Sequence, residues 1–253
     1  CQCQLLPEGY NGENLDKPLV RDKGKPLTYT EKIASINRKQ KALLGKYVDS
    51  DNIEGAKRVF NENHSGSLAT NGLIGKGKEL SFTNGINRQN HLLNKRFKNL
   101  DKNYGYTDVV DGDWDFGGKS HFSSTLFDGQ MDLHKGLTAR SDWIAIEESL
   151  MKKLGKKRAT TAGNHLMPVY RHERGHQILW ASKKSEAKGR FIDLFFDNPD
   201  SFKKISEYAA TDLHEAFAES FSVFTSPAFK KGMLDRVMGE GFESILDEIV
   251  GNI

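Results

Sequence analysis

The sequence predicts an α+β fold, in which a small mixed sheet with a β-hairpin edge precedes a mainly helical C-terminal half. Two observations favour this class. The segments His121–Phe127 and Gln130–Leu133 have strand-like composition and are joined by Asp128-Gly129, a dipeptide that favours the tight turn of a hairpin. From Pro168 onward the pattern is almost entirely helical, and the later prolines stand where the first turn of a helix accepts them.

The N-terminal part divides into a tail and helices. Residues 1–27 contain three prolines and no apolar periodicity, so we predict a linker or tail. Thr28 and Glu31 have the spacing of a capping box, and the apolar residues that follow recur on one side of a helix. Residues 61–77 are rich in Gly, Ser and Asn and predict mostly loop, whereas residues 87–100 predict a return to helix.

The residues that flank the predicted hairpin complete the outline. Residues 111–118 predict a turn-rich connector, and residues 143–154 predict a helix that Ser141 caps. We therefore predict three regions along the chain. They are a tail at residues 1–27, a mostly helical N-terminal region at residues 28–115, and a core at residues 116–253 that carries the chemistry.

Composition excludes several classes of protein. The 253 residues include 37 Lys and Arg and 34 Asp and Glu, and the net charge of +3 predicts no specific nucleic-acid binding. No apolar run approaches the roughly 20 residues of a membrane span, so we expect no membrane partner. Cys1 and Cys3 are too close together for a ready disulfide. The chain opens with neither Met nor a signal pattern, so we expect a processed product or a piece of something longer.

One segment points to metal chemistry. His172, Glu173 and His176 form a His-Glu-x-x-His pattern. Residues four apart on a helix face the same side, so both histidines can bind one metal ion, and Glu173 can reach a water molecule on it. Zinc lowers the pKa of such a water toward neutrality and a carboxylate takes its proton, as metal-assisted hydrolysis requires. Apolar residues follow the motif, so we predict that its helix packs inward.

A catalytic zinc site needs a third protein ligand. Two spacings known for the third ligand of zinc peptidases are absent. A histidine six residues after His176 is absent because that position is Ser182, and a glutamate twenty residues after His176 is absent because that position is Phe196. The next acidic segment, residues 207–221, predicts a helix on which Glu215 and Glu219 share one face. Carboxylates on so apolar a helix need partners, because burying an unpaired charge is costly. These carboxylates are the candidates for the missing ligand.

The motif, together with Tyr208 and the segment Glu215–Phe221, resembles the catalytic domain of the anthrax lethal factor-like zinc metallopeptidases. The resemblance covers about residues 120–224 and includes a tyrosine seven residues before the glutamate. It implies a zincin-like fold of the gluzincin type and a strand along the cleft that pairs with extended substrate. The two strands of the predicted hairpin are the candidates for that strand.

The resemblance also implies a role for each residue of the site. It implies that Zn²⁺ is held by three ligands, His172, His176 and Glu215. Glu173 would be the general base, and the Tyr208 hydroxyl would donate a hydrogen bond to the water on the metal or to the oxyanion of the intermediate. Glu219 would accept the free ring N–H of a ligand histidine.

A second resemblance lies at the start of the chain. Residues 1–7, Cys-Gln-Cys-Gln-Leu-Leu-Pro, resemble the closing Cys-x-Cys segment of phage minor-head proteins of the Mu head-morphogenesis type. This implies a C-terminal cargo module, virion-associated or in the host cytoplasm, with phage head proteins as candidate partners.

The function predicted from the sequence is a zinc-dependent endopeptidase that acts on a protein or peptide. Two alternatives stay open. One is a non-enzymatic virion component with a vestigial or structural zinc site, and the other is a host-directed protease toxin. The sequence does not distinguish a protease that processes capsid proteins from one that acts on a host protein. It also does not indicate which peptide sequence is cleaved.

Overall fold

The computed structural model describes residues 27–63, 68–69, 76–97, 100, 107–110, 118–121, 130–134, 137–154 and 165–251. The α-helices within these ranges are α1 (Tyr29–Leu44), α2 (Ile53–Asn63), α3 (Lys76–Arg96), α4 (Trp143–Met151), α5 (Leu166–Ala181), α6 (Glu186–Asp197), α7 (Leu213–Phe224), α8 (Met233–Met238) and α9 (Phe242–Gly251). Two 3₁₀-helices, Pro199–Lys204 and Tyr208–Ala210, lie between α6 and α7. The strands are β1 (Leu68–Ala69), β2 (Thr107–Val110), β3 (Gly118–His121) and β4 (Gln130–His134).

The strands form one sheet in the order β1-β2-β4-β3. Strand β2 pairs in parallel with both β1 and β4, and β3 pairs antiparallel with β4. In that antiparallel pair His121 lies opposite Gln130 and Gly118 lies opposite Leu133. Leu133 is buried, and both β3 and β4 contact helix α5.

The prediction of an α+β, zincin-like fold, defined by a mixed sheet with a hairpin edge, is wrong, because the described residues are predominantly helical and the short strands are a minor part of them. The strands are only two to five residues long. The predicted strand His121–Phe127 has His121 alone in a described strand, and residues 122–129, with the Asp-Gly turn, lie outside the described residues. The sequence analysis underestimated helix because it assigned α2 and the first half of α3 to loop or to no element.

The first half of helix α3 escaped the pattern analysis because polar residues of this helix are buried together with the apolar Phe82 and Ile86. Thr83, Asn87 and Gln89 are buried, although residues of these types usually lie at the surface. The Asn87 Nδ2 group donates a hydrogen bond to the Ala56 carbonyl at 2.8 Å and so joins α3 to α2. Apolar periodicity does not reveal a helix whose interior contacts are hydrogen bonds.

The N-terminal ends of three helices test the capping residues predicted from the sequence. The predicted capping box is confirmed, because Thr28 Oγ1 accepts from Glu31 N at 3.3 Å and a Glu31 carboxylate oxygen accepts from Thr28 N at 2.7 Å. Helix α4 begins at Trp143, but Asp142 rather than Ser141 occupies its N-cap. Helix α5 begins at Leu166, so Pro168 falls inside its first turn, where the missing N–H is not needed.

Helix α5 is buried along most of its length. Its N-terminal half packs through Val169 and Tyr170 against Phe60 and Phe82, which belong to the predicted N-terminal region. Its C-terminal half joins a second apolar cluster that includes α6, α7 and α9. A helix buried on nearly every side holds its side chains in fixed positions, because close packing leaves few rotamers.

Aromatic rings of neighbouring segments pack against helix α7. The Phe191 ring on α6 lies 5.2 Å, centre to centre, from the Phe217 ring on α7. It also lies 5.6 Å from the Phe202 ring and 6.0 Å from the Phe242 ring. Tilted and edge-to-face contacts of this kind stabilise a core beyond the burial of area alone. Within the described ranges no helix combines the length and apolar character needed to cross a bilayer.

Candidate metal centre

Helix α5 carries both histidines of the motif. His172 and His176 lie one turn apart, and their ring centres are 4.8 Å apart with the rings nearly perpendicular. The His172 side chain is 5% exposed and the His176 side chain is 12% exposed. Glu173 is also buried, and its negative charge is near enough to act on both His172 and Tyr208. The motif therefore lies on a packed helix with its outer imidazole partly open to solvent.

Helix α7 supplies the carboxylates, and its first turn is fixed by a cap. Asp212 is the N-cap residue, and its side chain accepts from His214 N at 2.8 Å and from Glu215 N at 3.0 Å. In a capping box the Glu215 side chain would turn back to the cap, but here it points toward the histidines of α5. Glu219 lies one turn further along and is fully buried.

Gly175 lets the two helices approach closely. A Cβ atom at this position would lie 2.7 Å from the Ala218 Cα and 3.3 Å from the Phe221 Cβ. The backbone of α5 therefore touches the backbone of α7 between the two pairs of site residues. Ser222 Oγ, one turn later, donates to the Pro168 carbonyl at 3.1 Å and joins the same helices.

Three donor atoms converge in the space between these helices. His172 Nε2 lies 3.2 Å from His176 Nε2. Glu215 Oε2 lies 3.0 Å from His172 Nε2 and 3.6 Å from His176 Nε2. Four-coordinate zinc with bonds of about 2.0 to 2.1 Å has ligand atoms about 3.3 to 3.4 Å apart. The three separations bracket that value, so the residues fit a zinc ion.

The buried carboxylate oxygen supports the same fit. By the directional criteria of a hydrogen bond, Glu215 Oε2 has no partner among the described residues, although two ring nitrogens lie close to it. A buried oxygen that faces two nitrogens in this way is costly unless a proton or a metal cation lies between them. Among the described residues, no further His, Cys, Asp or Glu joins these three to make a group of four.

The charges of the centre favour one protonated histidine, His172, beside a neutral His176. Burial alone would lower the pKa of His172, but the carboxylates of Glu215 and Glu219 outweigh burial and raise its pKa to about 10. Burial and the neighbouring charge of His172 lower the pKa of His176 to about 3. Burial opposes ionisation of Glu215, but His172 and His176 hold its pKa below the ordinary value. A divalent cation would replace the proton that His172 holds toward the carboxylate of Glu215.

Tyr208 lies beside the third candidate ligand. Its hydroxyl donates to Glu215 Oε1 at 3.0 Å, and its ring stacks near His172 with 6.0 Å between ring centres. Burial and the Glu215 carboxylate raise the pKa of Tyr208 above its ordinary value, so the hydroxyl keeps its proton. The Tyr208 side chain is 43% exposed, so it lies at the edge of the centre rather than beneath it.

Glu219 contacts the other nitrogen of a candidate ligand. Its Oε1 atom lies 3.0 Å from His172 Nδ1. A carboxylate on the far side of a ligand histidine fixes the ring orientation and makes the metal-facing nitrogen more basic. The structure thus brings together His172, His176, Glu215, Tyr208 and Glu219.

The sequence analysis missed a buried ion pair that supports the motif helix. Arg171, next to His172, donates to both Glu147 oxygens, at 2.8 and 2.6 Å, and each side chain is 1% exposed. Arg171 also donates to the Ser222 carbonyl on α7 and to Gln89 on α3, each at 3.0 Å. Position 171 is thereby joined to α3, α4 and α7. An arginine on a helix that was expected to pack inward was the available signal, but the sequence does not identify its partner.

The exposure of one residue near the centre, at the end of helix α5, also differs from the prediction. Trp180, expected to pack inward, is 52% exposed and stacks on His214, with ring centres 5.5 Å apart. The residues before it, Ile178 and Leu179, are buried as expected.

Comparisons of the chain with protein families, with curated proteins and with solved structures gave no match. What the centre does must therefore be inferred from its own side chains.

Proposed function

We propose that the protein is a zinc-dependent endopeptidase. The observation that carries the proposal is the convergence of His172 Nε2, His176 Nε2 and Glu215 Oε2 within 3.0 to 3.6 Å of one another. Two imidazoles and one carboxylate form a ligand set of catalytic zinc sites, which keep a coordination position open for water or substrate. The partly exposed His176 side chain is consistent with access from solvent.

The residues around the ligands would share the work of peptide hydrolysis. A zinc ion held there would polarise the scissile carbonyl and acidify a water molecule. Glu173 would take the proton from the attacking water and deliver it to the leaving amine. Tyr208 keeps its hydroxyl proton. The hydroxyl oxygen lies 3.0 Å from Glu215 Oε1, and the hydroxyl would turn to donate to the oxyanion of the tetrahedral intermediate. Glu219 would hold the His172 ring in place.

Two substitutions separate metal binding from proton transfer. Glu173→Gln keeps the shape of the side chain but removes the base, so we expect zinc to bind and peptide cleavage to fall about 10²- to 10⁴-fold. Glu215→Ala removes a ligand, so we expect loss of zinc as well as of cleavage. Glu240→Gln, at an exposed position near the C-terminus, is the control. The measurements are zinc content after dialysis and digestion of a peptide library.

The outcomes discriminate between the proposals. Cleavage at the wild-type rate by Glu173→Gln would reject the mechanism. Zinc bound at one equivalent without cleavage of any peptide would favour the structural or vestigial site of a virion component. Incubation with phage head proteins and with host lysate tests capsid processing against a host-directed toxin. The N-terminal segment that suggests a phage origin lies outside the described residues.

A further inference from the structure

An aromatic pair continues the candidate metal centre outward. His172, His176 and Trp180 occur at intervals of four on α5, so they form one stripe along the helix. Exposure rises along the stripe, from 5% for the His172 side chain and 12% for His176 to 52% for the residue Trp180. On α7 the exposed His214 precedes Glu215 directly and stacks on Trp180, with an interplanar angle of 24°. The two helices that supply the ligands thus supply this pair.

The exposure of Trp180 needs a reason. The other tryptophan among the described residues, Trp143, is 3% exposed, as expected for so large an apolar ring. An exposed indole beside a candidate active site is typical of a surface that binds a ligand. We propose, on the basis of the endopeptidase function, that Trp180 and His214 form a subsite for a large apolar or aromatic side chain of the peptide substrate.

Distance limits which substrate residue the subsite receives. Four residues of helix rise about 6 Å, so Trp180 lies about 6 Å along α5 from His176. An extended peptide advances about 3.3 Å per residue, so the same span covers about two residues of substrate. The subsite therefore takes a side chain one or two residues from the scissile bond.

The charged residues near Trp180 and His214 favour neither a cationic nor an anionic substrate residue. Lys183 and Lys184 follow Trp180 in the chain and are exposed, whereas the exposed Asp212 precedes His214. Opposite charges on the two sides cancel much of the field that would select a cationic or an anionic substrate residue. Trp180 and His214 therefore offer the substrate mainly the apolar surface of their rings. Covering about 55 Å² of apolar surface at about 25 cal/mol per Å² is the equivalent of about tenfold in affinity.

The experiment measures preference by cleavage and by binding. Peptides of one sequence carry Phe, Leu, Ala, Lys or Asp at each of the two positions on either side of the cleaved bond. Wild type is expected to favour Phe or Leu over Ala about tenfold in kcat/KM at one of these positions. Trp180→Ala is expected to reduce that preference to less than about twofold, mainly by lowering kcat/KM for the Phe and Leu peptides. Phe196→Ala, which removes another exposed ring, is the control and should keep the preference.

Calorimetry gives a readout that does not depend on turnover. In the zinc-loaded Glu173→Gln background, the Phe peptide should bind about tenfold more tightly than the Ala peptide, and adding Trp180→Ala should abolish the difference. His214→Ala should reduce it and serves if Trp180→Ala fails to fold. A preference that keeps its wild-type size in Trp180→Ala or in His214→Ala, or a wild-type preference for Lys or Asp, would overturn the subsite. If wild type cleaves no peptide, the endopeptidase function fails, and calorimetry alone decides the subsite.

Discussion

Gly175→Ala tests whether the close approach of α5 and α7 builds the metal centre. The added Cβ would lie 2.7 Å from the Ala218 Cα, whereas carbon atoms in contact normally lie about 3.5 to 4.0 Å apart. The atom it meets is backbone, so no side-chain rotation relieves the clash. The helices must therefore separate by about 1 Å.

That separation has two consequences of different size. Overpacking of a buried contact costs about 1 to 3 kcal/mol, so we expect the free energy of unfolding to fall by that amount. A metal site tolerates ligand displacements of only about 0.2 Å, and Glu215 would move away from both histidines. We therefore expect zinc affinity to fall at least about 10- to 100-fold, as it does when the residues supporting metal ligands are changed.

Urea denaturation and zinc competition against a chelator measure the two effects separately. Gly189→Ala is the matched control, because a Cβ at this position on α6 meets no atom within 4 Å. We expect it to leave zinc affinity unchanged and to raise stability by about 0.5 to 1 kcal/mol through helix propensity. If Gly175→Ala binds zinc like wild type and unfolds at the same urea concentration, the reasoning about helix approach is refuted.

Two further predictions concern the charges around the centre. Glu147→Gln leaves the buried Arg171 without its carboxylate, so we expect the free energy of unfolding to fall by about 3 to 5 kcal/mol. The partly exposed neighbour Glu148 is the control, and Glu148→Gln should cost less than about 1 kcal/mol. A loss below about 1 kcal/mol for Glu147→Gln would show that the pair is dispensable. For the zinc-free protein we expect stability to be greatest near pH 6.5, the ordinary pKa of histidine. Above it, folded His172 keeps its proton up to about pH 10 while the unfolded chain loses it, so stability falls as pH rises. Below it, folded His176 stays neutral down to about pH 3 while the unfolded chain gains a proton, so stability falls as pH drops. Urea denaturation from pH 5 to pH 9 checks this, and a flat profile, or an acidic limb that persists in His176→Gln, contradicts it.

Local spacing was the reliable part of the sequence analysis. The capping box at Thr28 and Glu31 depends on residues three apart and forms as predicted. The spacing of His172 and His176 places both rings on one side of α5, because residues four apart lie on the same side of any α-helix. Their role as zinc ligands stays a prediction, because the geometry shows the fit of the donor atoms and not a bound ion.

The fold class was wrong for a physical reason that particular residues illustrate. Apolar periodicity underestimates a helix whose buried residues are partly polar, and α3 buries Thr83, Asn87 and Gln89 beside Phe82 and Ile86. The Asp-Gly dipeptide was given too much weight, because a turn signal does not specify how long the strands beside it are. The described strands are short and the described residues are predominantly helical.

The sequence by itself determined which side chains share a helix face and which chemistry they could perform. Only the tertiary structure decided that Glu215, 39 positions after His176, faces the same space as the two histidines. It also decided that Arg171 meets Glu147 and that Gly175 admits the backbone of α7. Helix periodicity is a property of neighbouring residues, whereas the distance between two helices depends on every side chain packed between them.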